Sequence, residues 1–338
     1  MLLSFRKYVI ATATGISLLT SCAGGSSPPA VPLAIHASQS NLRARGEACP
    51  CVYVANVSNQ SITVYPSGAT RNAKPIQNLR GSNTGLDPGG IAVDGSGNMY
   101  VANTENDSVT VYAAGATGNA APMQTISGSS TRLDNPYGIA LDPVNGDIYV
   151  ANHGVFKEDL GSVTVYSAGS NGNVAPIGTI AGANTGLYNP FGIILDPSGN
   201  IYVANDKSIT VYASGSVGNV APAQTISGSD SGAQGFFELG LDSSLNIYAA
   251  KPAYRGRIEV YAAGSNGDVG PIRTIAGRKT KLFYPAGIAL DNSGNVYITN
   301  DGTEIYVYAA GASGKVKPIH KIGGSKTGID DAVYITIR

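Results

Sequence analysis

Two side-chain types recur along this chain at positions that often hold ligands. Asn56, Asn103, Asn152, Asn205 and Asn300 each end a short apolar run, and Asp94, Asp142, Asp196, Asp242 and Asp291 each open a turn. Asparagines gathered around a common axis would offer a ring of ligand groups, and turn carboxylates would suit calcium. Each turn, however, has too few oxygens of its own for a cation that takes six to eight. A residue that recurs with a repeat is explained first by the repeat, because Asn and Asp side chains bond nearby backbone in turns. Chemistry is therefore expected where one copy departs from its sisters.

Three departures stand out. The first is an unusually long loop with His153, Phe156, Lys157, Glu158 and Asp159. In the second, Lys251 replaces the expected Asn and is followed by Tyr254, Arg255 and Arg257. In the third, Gly235-Phe236-Phe237-Glu238 stands where other copies have Gly90, Gly138, Gly192 and Gly287. Together they define a candidate binding face of His153, Phe156, Lys157, Glu238, Lys251, Tyr254 and Arg255, although neutral loop variation explains each equally well. No catalytic set can be assembled. The histidines are His36 in an N-terminal tether, His153, and His320 on an outer strand, so no His pair is available for general-base work and no nucleophile has a base and an orienting partner.

The elements that must position these residues repeat with a period near 49 residues, in the range of propeller blades. The clearest unit is Ile201-Tyr202-Val203-Ala204-Asn205, with copies at 52–56, 99–103, 148–152, 247–251 and 296–300. A second β-type run follows each, ending in Tyr65, Tyr112, Tyr166, Tyr212, Tyr261 or Tyr308. These read as strands b and c. A proline then opens a short run, as at Pro122 and Pro176, which marks an outer edge strand d, because proline cannot donate to a ladder. Strand a follows, as in Gly192-Ile193-Ile194-Leu195-Asp196, with a tight turn into the next strand b. The first copy lacks a strand a, and the chain ends on an isolated strand, Ala332 to Ile337. The fold class is thus all-β: a six-bladed β-propeller of four-stranded blades, closed by the C-terminal strand pairing with the N-terminal blade.

Composition agrees. Glycine numbers 44, tryptophan is absent and charged residues are 13% of the chain, against about 25% in ordinary soluble domains. The 22 basic and 22 acidic side chains cancel, which argues against a nucleic-acid partner. Charge is uneven, though: residues 52–250 hold 6 Lys/Arg and 14 Asp/Glu, while 251–326 hold 11 and 5.

Arg6 and Lys7 precede an apolar run, Tyr8 to Leu19, that is too short to cross a bilayer. It reads as a signal peptide. Leu19-Thr20-Ser21-Cys22 resembles the bacterial lipobox, which implies that Cys22 is acylated and holds the protein to a membrane. The expected organisation is a lipoprotein signal peptide at 1–21, a flexible tether at 22–51 and the propeller at 52–338. Cys49 and Cys51 flank Pro50. Export permits a disulfide there, but the ring would be tight, and no further ligand lies near enough in sequence to make it a zinc site.

The repeated unit, a GIALD-like strand followed by a turn and an IYVAN-like strand, resembles the NHL repeat over residues 52–338, and Tyr297-Ile298-Thr299-Asn300 resembles the YVTN repeat of bacterial surface propellers. The NHL pattern usually ends strand b with Asp, where five copies here have Asn. Such propellers host hydrolases, lyases and passive binders. The expected function is an extracytoplasmic binding scaffold in the cell envelope, monomeric, without a cofactor, taking a small molecule, glycan or protein at the loop face. The alternative is a gluconolactonase-like hydrolase with a divalent metal in the channel. A streptogramin-lyase-like activity lacks a placed histidine base.

Overall fold

Runs such as Ile201-Tyr202-Val203-Ala204 are apolar throughout, and a strand of that kind must be covered on both faces. That is how the six strands b lie. The computed structural model describes residues 51–154, 160–229 and 235–338, and these form six four-stranded antiparallel sheets with no helix. The second sheet shows the plan: strand a at Pro88–Val93, b at Met99–Asn103, c at Ser108–Tyr112 and d at Gln124–Ser127.

Alternation sends successive side chains to opposite faces, so each strand feeds two cores. Val101 packs towards blade 1 with Tyr53 and Val64, whereas Ala102 packs towards blade 3 with Val150 and Ile139. Six clusters of this kind lie between successive sheets. One of them joins Tyr297 and Ile305 of blade 6 to Val52 and Val54 of blade 1, which makes the arrangement a closed ring. The fold is a six-bladed β-propeller.

Closure is made by the strand Ala332–Ile337, which pairs antiparallel with Cys51–Asn56 and serves as strand a of blade 1. Cys51 therefore belongs to the propeller and not to the tether. It is buried, its N–H donates to the Arg338 carbonyl at 2.7 Å, and its own carbonyl accepts from Arg338 at 3.1 Å. Cys22 and Cys49 lie outside the described residues.

Outer edges are covered as well. Each strand d is bridged in parallel to the c-to-d turn of the next blade, for example Ile126 to Gly172 and Ile180 to Gly218. This denies the edge to another chain. The expected prolines sit two residues ahead of strand d, as Pro122 before Gln124 and Pro176 before Gly178. In between, Met123 and Ile177 each donate a backbone bond to strand c at 2.7 and 2.8 Å.

Antiparallel order puts the a-to-b and c-to-d turns on one face and the b-to-c and d-to-a loops on the other. The Glu238 end of the central channel, just ahead of the strand Leu239–Leu241, lies at the latter face.

Candidate functional site

The recurrent asparagines are scaffold. Nδ2 of Asn56, Asn103, Asn152 and Asn205 donates to Oγ1 of Thr63, Thr110, Thr164 and Thr210, each at 3.0 Å. On the other side of the amide, Oδ1 accepts backbone N–H from the loop entering strand a, as from Asp87 to Asn103 at 2.9 Å and from Phe283 to Asn300 at 2.8 Å. The tie runs between strands, further than a bond to the residue's own turn. A tyrosine completes it: the hydroxyls of Tyr65, Tyr112, Tyr166, Tyr212 and Tyr308 donate to the carbonyls of Thr327, Thr84, Thr131, Thr185 and Thr280 in those same loops. Burial pushes the first four phenols up to about 12, so they remain neutral donors. The turn aspartates are also structural; Asp196, for example, accepts from the N–H groups of Ser198 and Asn200, both at 2.9 Å.

Blade 5 replaces this neutral pin with charge. Lys251 stands in the Asn position and Glu259 in the Thr position. Glu259 is 2% exposed; it accepts from the Arg257 Nε–H and, at 2.8 Å, from the Tyr261 hydroxyl, which in this blade turns to the carboxylate. Burial lowers the Lys251 pKa, with Glu259 opposing and Arg257 adding to the shift. Lys251 is thus half-buried at the end of strand b, one strand outward from the channel, and is not the exposed loop charge expected of it.

The channel is where the second break falls. Gly90, Gly138 and Gly192 let inner strands of successive blades meet backbone to backbone; a side chain at Gly90 or Gly138 would collide with the carbonyl of Tyr137 or Phe191. Two blades depart from glycine. Blade 5 has Glu238, and blade 1 has Tyr334, which faces Ala55 as Gly90 faces Ala102. Glu238 reaches over blade 6 to blade 1, its Oε2 accepting the N–H of Ile288 at 2.8 Å and of Ile335 at 3.3 Å. It is therefore a brace between three inner strands, not a surface substitution. Part of its surface stays open to the channel, yet protein crowds the carboxyl closely. Burial pushes its pKa well above 4.5, and the two N–H bonds only partly offset this. Tyr334 is 2% exposed, and among the described residues its hydroxyl has no hydrogen-bond partner. Burial raises its pKa, as do the nearby Glu238 and Tyr137.

Beside these two groups stands an arc of aromatic rings. The residue just ahead of the glycine position is Tyr137, Phe191 and Phe237 in blades 3, 4 and 5, with centroids 5.3 Å apart for the first pair and 4.9 Å for the second. His153 packs at 4.7 Å on Phe191 and 5.3 Å on Tyr137. Blades 2, 6 and 1 carry Gly89, Ala286 and Val333 there, so this position is aromatic in three successive blades and small in the other three. A cavity of about 260 Å3 runs between the six inner strands and presents more polar than apolar surface; the side chains of Ile91, Ile139, Ile193, Leu239, Ile288 and Ile335 beside it are buried. Among the described residues, Glu238 is the only charged side chain on its wall. A wider depression of about 670 Å3 on the opposite face presents Asp242 and Asp291. Those carboxylates are already held by turn N–H groups.

The structure thus links His153 to Glu238 through Phe191 and Phe237. Tyr254, 67% exposed, packs instead on Phe283 at 4.9 Å, and Arg255 is exposed beside it. Phe156 and Lys157 lie outside the described residues. Phe236 is fully buried core against Tyr261. Tyr334, Tyr137 and Phe191 are additions that the sequence reading does not single out; aligning the closing strand residue by residue would expose Tyr334 as a second break in the glycine position. A divalent metal in the channel does not fit these residues. The wall offers one carboxylate, the asparagines are spent inside the blades, and no three His, Cys, Asp or Glu stand together among the described residues.

No protein-family model and no curated protein matches this sequence. Among solved structures, the chain is similar to a protein of unknown function from Bacteroides caccae, with a TM-score of 0.62 and 13% identity over 86% of this chain and 99% of that one. A weaker similarity, TM-score 0.49 and 15% identity over 72% of this chain and 66% of that one, is to Kuenenia stuttgartiensis hydrazine synthase. At such identities the first likeness speaks for the fold alone, and the second carries no argument.

Proposed function

We propose that this is a lipid-anchored, extracytoplasmic binding module whose ligand enters the channel mouth, built from blades of the NHL and YVTN kind. The observation that carries the binding reading is the Tyr334 hydroxyl, buried without a partner among the described residues and close to the Glu238 brace. An orphaned buried polar group costs about 1–3 kcal/mol, and a ligand that completes the bond would recover it. The anchor rests on Leu19-Thr20-Ser21-Cys22 behind its short apolar run.

A thermal-shift screen of small metabolites tests the site. Genuine ligands stabilise the wild type and lose that effect in Tyr334→Phe. Hits that stabilise both proteins equally place binding elsewhere and end this reading. For the anchor, Cys22→Ser is expected to move the protein from the membrane to the soluble fraction, and unchanged fractionation refutes it.

A further inference from the structure

The junctions between blades share a clamp on the outer rim, and one of them lacks it. Where strand d leads into the loop towards the next strand a, an asparagine of the neighbouring c-to-d turn accepts a loop N–H. Asn119 accepts from Asn83 at 2.8 Å, Asn173 from Ser130 at 2.7 Å, Asn219 from Asn184 at 2.8 Å and Asn72 from Lys326 at 2.7 Å. Asp268 does the same for Ser229 at 3.1 Å. Between blades 5 and 6 the clamping position holds Lys315, which lies over Gly277 as Asn119 lies over Gly81 and Asn219 over Gly182: a Cβ added at Gly277 would meet the Lys315 Cγ at 2.9 Å. An ammonium has no lone pair with which to accept. Among the described residues, nothing accepts the Lys279 N–H. The loop that needs an oxygen carries two further cations instead, Arg278-Lys279, where sister loops have Ser82-Asn83, Ser129-Ser130 and Ala183-Asn184. Arg278, Lys279 and Lys315 are all exposed.

We propose that the junction of blades 5 and 6 binds a phosphate group, either free phosphate or the phosphate of a lipid headgroup, whose oxygens stand in for the missing asparagine oxygen. One oxygen accepts the Lys279 N–H, as Oδ1 does in the sister junctions. A second pairs with the Lys315 ammonium, and the Arg278 guanidinium supplies the forked donors that suit a tetrahedral oxyanion. A carboxylate, with two oxygens in one plane, cannot serve donors that come from a turn, a loop backbone and a loop side chain together. The site is on the rim, apart from the channel, and does not depend on the channel mouth being a binding site.

Calorimetric titration with inorganic phosphate, at an ionic strength held constant with chloride, tests it. The Cys22→Ser protein serves throughout, so that an acyl chain cannot mimic headgroup binding. Lys315→Asn restores the sister clamp; it is expected to weaken phosphate about tenfold and to melt no lower than its parent in phosphate-free buffer. Arg278→Ser, a second sister residue, is expected to weaken phosphate about fivefold with the clamp position untouched. Lys326→Asn removes a lysine from a loop that Asn72 already holds, and is expected to stay within about twofold. Co-sedimentation with phosphatidic acid vesicles, against phosphatidylcholine vesicles, distinguishes the source. Retention of the parent but not of Lys315→Asn, without binding of free phosphate, assigns the group to a lipid headgroup. Phosphate that binds the parent and Lys315→Asn equally, a loss in Lys326→Asn as large as in Lys315→Asn, or binding to neither phosphate nor phosphatidic acid overturns the proposal.

Discussion

Blades 2 and 5 have the same four strands and opposite internal chemistry. In blade 2 the tie is neutral: Asn103 to Thr110, and Tyr112 to the carbonyl of Thr84. In blade 5 it is ionic: Lys251, Arg257 and Tyr261 surround Glu259. Register from strand b to strand c is unaffected, since Ala102 pairs with Val109 as Ala250 pairs with Ile258. The blade is thus specified by alternation and inter-blade packing, and the pin can change as long as each buried polar group finds a partner. Blade 5 also carries Glu238 at the glycine position. The sector that abandoned the common pin is the sector that placed a carboxyl in the channel.

The comparison rests on the ring being closed, and the largest effect is expected from opening it. Removing residues 332–338 strips the cover from Val52 and Val54, both fully buried, and deletes Ala332, Tyr334 and Ile335 from the cores. At about 1.5–3 kcal/mol for each large apolar side chain, the loss rivals the whole stability of an ordinary domain. Aggregation or failure to fold is expected in expression and melting assays. A truncated protein that melts like the intact one would refute closure.

The pins come next. Asn103→Ala leaves the buried Asp87 N–H and the Thr110 hydroxyl without this partner and is expected to cost about 2–3 kcal/mol in denaturant unfolding. Lys251→Asn restores the sister residue at a half-buried site where Arg257 still partners Glu259, and is expected to cost under about 1 kcal/mol. Equal losses would show that the ionic tie contributes as much to the scaffold as the neutral one.

Glu238 gives a pH signature. Its pKa is raised in the fold, so between 4.5 and that raised value the folded protein holds more protons than the unfolded chain. Stability from this group therefore falls as pH rises through that window. Glu238→Gln removes the slope, so its melting temperature is expected to gain on the wild type from pH 4.5 upward. Asp242, whose pKa is lowered, acts in the opposite sense but is present in both proteins and cancels. A constant difference across pH would mean that the carboxyl is well solvated. The smallest effect is expected from Tyr334→Phe: without ligand, deleting the orphaned hydroxyl stabilises the protein by about 1 kcal/mol, and a loss of stability would reveal a partner for it.

The architecture is legible in the sequence because each blade restates it. The period, the tyrosines ending strand c and the unmatched strand at each end are enough to specify six closed blades. Strand d begins two residues later than its proline suggests, because proline announces an edge without saying where pairing begins. Glu238 is legible as a break in the glycine position, but its burial is not, since nothing near it in sequence reveals that its carboxyl spans to Ile288 and Ile335. The aromatic arc is hidden for a related reason. Tyr137 and Phe191 look like unremarkable loop residues, and even Phe237, which falls in a visible break, shows no link to them in sequence; only the curvature of the ring brings the three together.

The bonds between Cys51 and Arg338 have one more consequence. They lie at the turn face, beside Gly97 in the a-to-b turn of blade 2, so the chain enters and leaves the ring on the side away from the aromatic arc.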